Sequence, residues 1–292
     1  MTLPEKSSPP NTAKPRTPPD RDQGPASGQI YDAGRLRALF DEMSKTYGVV
    51  NFLSSFGFTR RWRKQCVALA RLKPGDRVCD LMTGMGECWD EIQKRSGADA
   101  ELVAVDFSPA MIAAARDRLP VYKNISVYEQ DVFDPAFARA ATSRSPQAGN
   151  AGSGVQAPGP GRDARFDAVV CCFGVKTLEP EMYPRLAELL SRLLNSGGRF
   201  AFVEISVPHP GLLRGPLLFY IKYMIPWIGR LCLGNPDNYR MLSVYTQAFG
   251  DSSRLYQSFV AAGLDVQYHR LFFGAATAVA GATAGARRSG GS

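Results

Sequence analysis

The chain has 292 residues, 45% of them apolar, enough to bury one full-sized core or two small ones. Six cysteines without C-x-x-C spacing, and His209 and His269 as the only histidines, argue for a reducing compartment and against a metal centre or a Ser-His-Asp triad. The formal charge of +8 raises nucleic acid or an anionic membrane as partners, but its richest cluster, Arg60, Arg61, Arg63 and Lys64 around Trp62, reads slightly better as a solvated helix face.

Residues 1–29 form a Pro-rich tail with no apolar core of a secretory signal and too little apolar surface to fold. Across 30–72, Leu36, Leu39, Phe40, Met43 and Tyr47 recur at helical spacing, which predicts a helical cap ahead of a main domain at 73–282. In that domain Arg77–Leu81, Glu101–Asp106, Ile125–Asp131, Phe166–Phe173 and Arg199–Ile205 read as strands alternating with helices. Such alternation predicts an α/β fold with a mostly parallel, doubly wound sheet.

Ser108 is placed to cap a helix that Pro109 opens. A second helix should start near Glu179 and Pro180, bury Leu186, Leu189, Leu190 and Leu193, and stop at Asn195-Ser196-Gly197-Gly198. Residues 142–163 are of low complexity and read as a disordered insert. The apolar stretch Leu212–Leu233 is broken by Arg214, Pro216, Lys222, Pro226 and Arg230, so no spanning helix is expected. Arg254–Gly263 reads as a helix, Asp265–Phe273 and Ala275–Ala280 as a closing strand pair, and 283–292 as a flexible tail.

Val78–Glu87, VCDLMTGMGE, ends a strand at Asp80-Leu81 and turns through Gly84 and Gly86, where a ligand can approach bare backbone at the carboxyl edge of the sheet. Asp106 follows Gly86 by 20 residues at the end of the second strand, where a carboxylate can accept hydrogen bonds from both hydroxyls of a ribose. The dinucleotide fingerprint wants a third glycine where this chain has Trp89, which disfavours NAD.

D-L-M-T-G-M-G-E resembles the D-L-x-x-G-x-G-D/E motif of class I S-adenosylmethionine (SAM)-dependent methyltransferases. From Phe40 to Gly281, the insert excepted, the chain resembles the UbiE-type ubiquinone/menaquinone C-methyltransferases. Phe40-Asp41 through Tyr47 and Asn51, Leu53–Gly57 with Arg61-Trp62-Arg63, Phe166-Asp167 with Cys172-Phe173-Gly174, Asn195–Gly198, Val203–Ser206 and Asp237–Arg240 all look like segments of that family. The resemblance implies a Rossmann-like methyltransferase fold with a seven-stranded sheet, helices on both faces and an N-terminal helical cap. It implies SAM as cofactor, with Asp80, Gly84 and Gly86 at the methionine half, Asp106 at the ribose and Asp131 at the adenine amino group. Met82, Thr83, Phe107, Val132 and Cys172 complete the expected cofactor-binding set.

Three departures stand out: Lys176-Thr177 replaces the family's Arg-Asn, Met82 a small residue, and Gly48 an Asp. Lys176 supplies charge without the planar fork of arginine. Lys176, Tyr239 and Arg240 are the candidate catalytic residues. The acceptor is expected between the cofactor floor and a lid made by the N-terminal helix and Leu212–Tyr245, rich in Phe219, Tyr220, Tyr223, Trp227 and Tyr239.

The expected activity is methylation of a small aromatic or quinone-type acceptor, with C-methylation of a prenylated hydroquinone favoured. Tailoring of a natural product at C, O or N, and a non-enzymatic SAM-binding protein, are the alternatives. The expected partner is a small-molecule acceptor, with a lipophilic quinol as the candidate, and not nucleic acid, since no N-P-P-Y-type motif is present. A cytoplasmic location is expected; peripheral membrane contact and homodimerisation are left open.

Overall fold

The computed structural model describes residues 30–43, 57–142, 165–208, 214–225, 227, 230 and 236–285. The expected tail at 1–29, the insert beyond Thr142, the motif residues from Tyr47 to Phe56 and the chain end from 286 lie outside them.

Seven strands make one sheet: β1 (Val78–Leu81), β2 (Leu102–Asp106), β3 (Ile125–Glu129), β4 (Phe166–Cys172), β5 (Leu194–Ile205), β6 (Asp265–Leu271) and β7 (Ala276–Ala282). Their order is β3-β2-β1-β4-β5-β7-β6, with β1 to β5 parallel and β7 antiparallel to both of its neighbours. The order reverses between β1 and β4, so the crevice beyond their carboxyl ends is the place for a ligand. β4 stops at Cys172 because Phe173 turns into the left-handed region at φ 67. β5 starts earlier than its apolar run, because Leu194 pairs with Phe166 before a register shift.

Two-residue periodicity sorts the strand side chains into two cores. Cys79, Leu81, Val103, Val105, Phe200 and Phe202 face one side, where α5 (Pro135–Thr142), α6 (Tyr183–Leu193) and α9 (Ser253–Ala261) pack. Val78, Leu102, Ala104, Ala201 and Val203 face the other, against α2 (Phe58–Leu69), α3 (Trp89–Ser96) and α4 (Pro109–Arg118). Ser108 caps α4 as expected, its Oγ accepting from the Met111 amide at 3.2 Å. Leu186, Leu189, Leu190 and Leu193 are all buried on α6.

The cap helix α1 (Ala33–Met43) docks over the cavity edge of the sheet, with Asp41 Oδ1 accepting from Ser108 Oγ at 2.6 Å. A third cluster, Ile30, Leu36, Leu39 and Tyr245, ties α1 to α8 (Pro236–Phe249), and Tyr245 donates its hydroxyl to the Ile30 carbonyl at 2.6 Å. Between β5 and α8 runs α7 (Arg214–Phe219), continued by a wider turn at Tyr220–Met224. Among the described residues no helix is long and apolar enough to cross a membrane.

Candidate active site

A cavity of about 310 Å³ opens beyond the carboxyl ends of β1, β2, β3 and β4 under α1, within the size range of small-molecule sites. The turn after β1 forms its floor. Met82, Gly84 and Gly86 adopt φ 54, 58 and 75, a left-handed run that costs a non-glycine residue such as Met82 about 1–3 kcal/mol. A side chain built on Gly84 would meet nothing closer than Glu87 Oε2 at 4.0 Å, so its bare backbone borders the open cavity.

Gly86 serves a different purpose: a Cβ there would lie 2.6 Å from the Trp89 ring. The indole that stands in place of the third glycine thus packs directly under the turn, and its Nε1 donates to Thr83 Oγ1 at 3.0 Å, which in turn donates to Asp80 Oδ2 at 2.5 Å. Asp80 is sealed beneath the floor. Burial pushes its carboxyl up to about 7, against the opposing hydrogen bond from Thr83.

Asp106 closes β2 and accepts from the Gly84 amide at 2.9 Å through Oδ2 and the Ser108 amide at 3.0 Å through Oδ1. Burial raises its proton affinity and those two amides oppose the rise. Asp131, after β3, accepts from the Phe133 amide at 2.9 Å and borders the same cavity with Val132 and Phe133. Glu87 lines the floor and pairs with Arg63 of α2 at 2.7 Å. On the far side of β1, the end of β4 supplies Cys172 and the loop after it Phe173, Gly174, Thr177, Leu178, Glu179 and Met182, and the roof is Tyr31, Ala33, Leu36 and Phe40. Phe40 meets Phe107 edge-on at 6.3 Å between ring centres.

Of the ten sequence-derived cofactor positions, eight line this cavity: Met82, Thr83, Gly84, Asp106, Phe107, Asp131, Val132 and Cys172. Asp80 and Gly86 lie one layer down, where they hold the floor. Two of the three candidate catalytic residues, Lys176 and Arg240, lie elsewhere. Lys176 is buried, and its Nζ donates to Glu204 Oε1 at 2.7 Å and to the Phe173 carbonyl at 3.0 Å. Arg240 is exposed on α8 and lines a separate surface groove with Lys222, Tyr223, Trp227 and Arg230. The side chain of Tyr239 is outside the described residues. Neither Phe219, Tyr220, Tyr223 nor Trp227 lines the cavity; its aromatic lining among the described residues is Tyr31, Phe40, Phe107, Phe133 and Phe173.

Sequence reasoning missed Tyr31, Arg63, Glu87, Thr177, Glu179 and Met182 as lining residues. Glu87 was within reach as the last position of the glycine motif, but the others come from segments far apart in the chain. Among the described residues no group of three or more His, Cys, Asp or Glu is arranged to hold a metal ion.

The donor set suits SAM. Asp106 and Asp131 border the β2 and β3 side, where they could accept from a ribose and an aminopurine, apolar Met111, Val132 and Phe133 wall that side, and the two carboxylates could offset a sulfonium charge. The ubiE/COQ5 methyltransferase family model matches residues 29–133 and 152–283. The chain belongs to the ubiE/COQ5 methyltransferase family.

It is a SAM-dependent methyltransferase, as the glycine motif led us to expect, and SAM is its cofactor. The ubiE/COQ5 relatives include a demethylmenaquinone methyltransferase of Deinococcus radiodurans, 30% identical over 86% of this chain and 94% of its own length. Another demethylmenaquinone methyltransferase, of Thermus thermophilus, is 32% identical over 82% of this chain and 96% of its own length. The solved structure of a possible exported protein from Bordetella parapertussis shares the fold with a TM-score of 0.51 at 14% identity, covering 77% of this chain and 68% of that one.

Proposed function

We propose that this methyltransferase methylates a ring carbon of a prenylated hydroquinone. The observation that carries the reading is the division of the cavity: the carboxylates Asp106 and Asp131 stand on the β2 and β3 side of β1, and a largely apolar and aromatic compartment, with Glu179 and the ion pair of Arg63 and Glu87 at its edge, stands on the β4 side. Tyr31, Leu36, Leu178 and Met182 suit a flat ring with an isoprenoid substituent. The names of the relatives, demethylmenaquinone methyltransferases, support the same acceptor class.

When bound, SAM supplies an electrophilic methyl group on a sulfonium. The protein's part is to hold the ring carbon in line with that methyl at near-attack distance and to exclude water. α1 covers the cavity for this purpose. Glu179 takes the phenolic proton, which raises the electron density of the ring carbon, and it stands close enough to Tyr31 to raise that hydroxyl's proton affinity further after burial has done so. Lys176 acts at one remove: its pair with Glu204 sets the turn that presents Phe173, Gly174 and Thr177 to the ring. A lipophilic acceptor also calls for peripheral contact with a membrane.

The test is mass spectrometry of purified protein incubated with SAM and demethylated quinols alongside other aromatic metabolites. S-adenosylhomocysteine together with a quinol heavier by one methylene at a ring carbon is expected. Product from a non-quinone acceptor alone would replace this reading with a tailoring methyltransferase.

A further inference from the structure

Two groups of exposed aromatic side chains lie beyond the carboxyl edge of the sheet and belong to no described core. The first is on α7 and the turns after it, where Phe219, Tyr223 and Trp227 are 59%, 54% and 56% exposed and Met224 is 36% exposed. Phe219 and Tyr223 rest on each other at 5.2 Å, and Tyr223 and Trp227 line the groove with Lys222, Arg230 and Arg240. The second is the tip between β6 and β7, where Phe272 and Phe273 sit at left-handed φ 44 and 56 and Phe273 is 78% exposed. Phe272 stacks at 4.4 Å on Phe58, which opens α2 and precedes the exposed Arg60 and Arg61.

The two groups share a foundation. Leu217 of α7 packs on the same core as Phe58, Ile205 and Leu271, so both stand at the corner where β5, β6 and β7 meet the cavity face. Their charge is one-sided. From 214 to 250 the sequence carries Arg214, Lys222, Arg230 and Arg240 against Asp237 alone. Aromatic rings raised above a surface and ringed by cations match the interface of an anionic bilayer, where rings enter the headgroup layer and each cation gains from the negative surface potential. A nucleic-acid partner does not explain apolar Phe273, Phe219 and Met224 facing water.

We propose that this surface docks the enzyme on anionic lipid, with Phe219, Tyr223, Trp227 and Phe273 inserting and Lys222 and Arg230 pairing with lipid headgroups. The surface adjoins the cap: Ile225 joins the cluster that ties α1 to α8, so docking sets the roof of the cavity against the membrane that stores a lipophilic acceptor. In that purpose, though not in the binding itself, it rests on the prenylated-acceptor reading.

The experiment uses the full chain without SAM or acceptor, mixed with vesicles of phosphatidylcholine alone or with phosphatidylglycerol. Trp62 and Trp89 are buried, so of the three tryptophans only Trp227 is exposed to report insertion. We expect co-sedimentation and a blue shift of tryptophan emission with the anionic vesicles alone, the shift vanishing in Trp227→Phe. Each headgroup-paired cation strengthens attachment about fivefold, so Lys222→Glu with Arg230→Glu should bind at least about 25-fold more weakly with an unchanged melting temperature. Phe273→Ser should also weaken binding, and turnover of a water-soluble short-chain quinol should survive all of these changes. Three results overturn the proposal: equal binding to neutral vesicles, binding to heparin without a blue shift, or a concentration-dependent dimer that the same variants abolish while vesicles never bind. Vesicle binding by an enzyme that methylates no quinol would reject the acceptor reading and leave the docking surface standing.

Discussion

Lys176 Nζ stands 2.7 Å from Glu204 Oε1, and both side chains are sealed from solvent. Glu204 also accepts from the Lys176 amide at 3.1 Å and the Ile205 amide at 2.8 Å, so the pair joins the turn after β4 to the end of β5. Removing one partner leaves the other charge buried without compensation, at a cost of about 3–5 kcal/mol. Lys176→Met should lose that much in urea denaturation, and adding Glu204→Gln, which removes the buried charge and keeps an acceptor for one of the two amides, should restore part of it. A single variant as stable as the parent would remove the pair from this role.

Gly84 and Gly86 are separated by one residue and should respond differently to alanine. Gly86→Ala drives a methyl group into the Trp89 ring from a left-handed backbone and should destabilise the whole fold by about 2 kcal/mol or more. Gly84→Ala carries the backbone strain without the clash and projects into the cavity, so SAM affinity should fall more than the melting temperature. Calorimetry of both variants with and without SAM separates the effects, and an identical pattern would contradict this division.

Asp80 makes stability depend on pH. Its carboxyl has an ordinary value of 3.8 in an open chain and is pushed up to about 7 by burial in the fold. Below pH 4 both states are protonated and the buried group is neutral; as pH rises through 7 the folded protein must ionise it, so its contribution is full in acid and lost across that window. The loss amounts to roughly 4 kcal/mol. Asp80→Asn, which still accepts from Thr83, should flatten the fall in stability between pH 4 and 8. An unaltered slope in denaturation across that range would assign it to other groups.

Glu179→Gln tests the proton acceptor. We expect kcat to fall about 100-fold with SAM affinity unchanged, and turnover to recover as pH rises and the quinol loses its proton unaided. Loss of SAM binding in this variant would place Glu179 on the cofactor instead.

Much of the cofactor side was legible in the chain because its signals are local. Alternation of short apolar runs marks strands, Gly84 and Gly86 mark a turn that only bare backbone can make beside a ligand, and Asp106 and Asp131 stand at or just past the ends of their strands. The acceptor side was not legible in the same way. Lys176, two residues past Gly174, looked available for chemistry, yet its ammonium reaches Glu204, 28 residues on, because β4 and β5 are neighbours in the sheet.

Arg240 and the aromatics of 219–227 looked like a lid for a similar reason: composition reports that rings and cations are close in sequence and says nothing of which way they face. By itself, then, the sequence determined the sheet, the glycine turn and the chemistry of the cofactor, all properties of residues within one strand-turn-helix unit. Only the tertiary structure decided that Tyr31, Glu179 and Thr177 share a wall while Trp227 and Arg240 face outward, because strand order and the docking of α1 onto α4 and α8 bring together segments up to 215 residues apart.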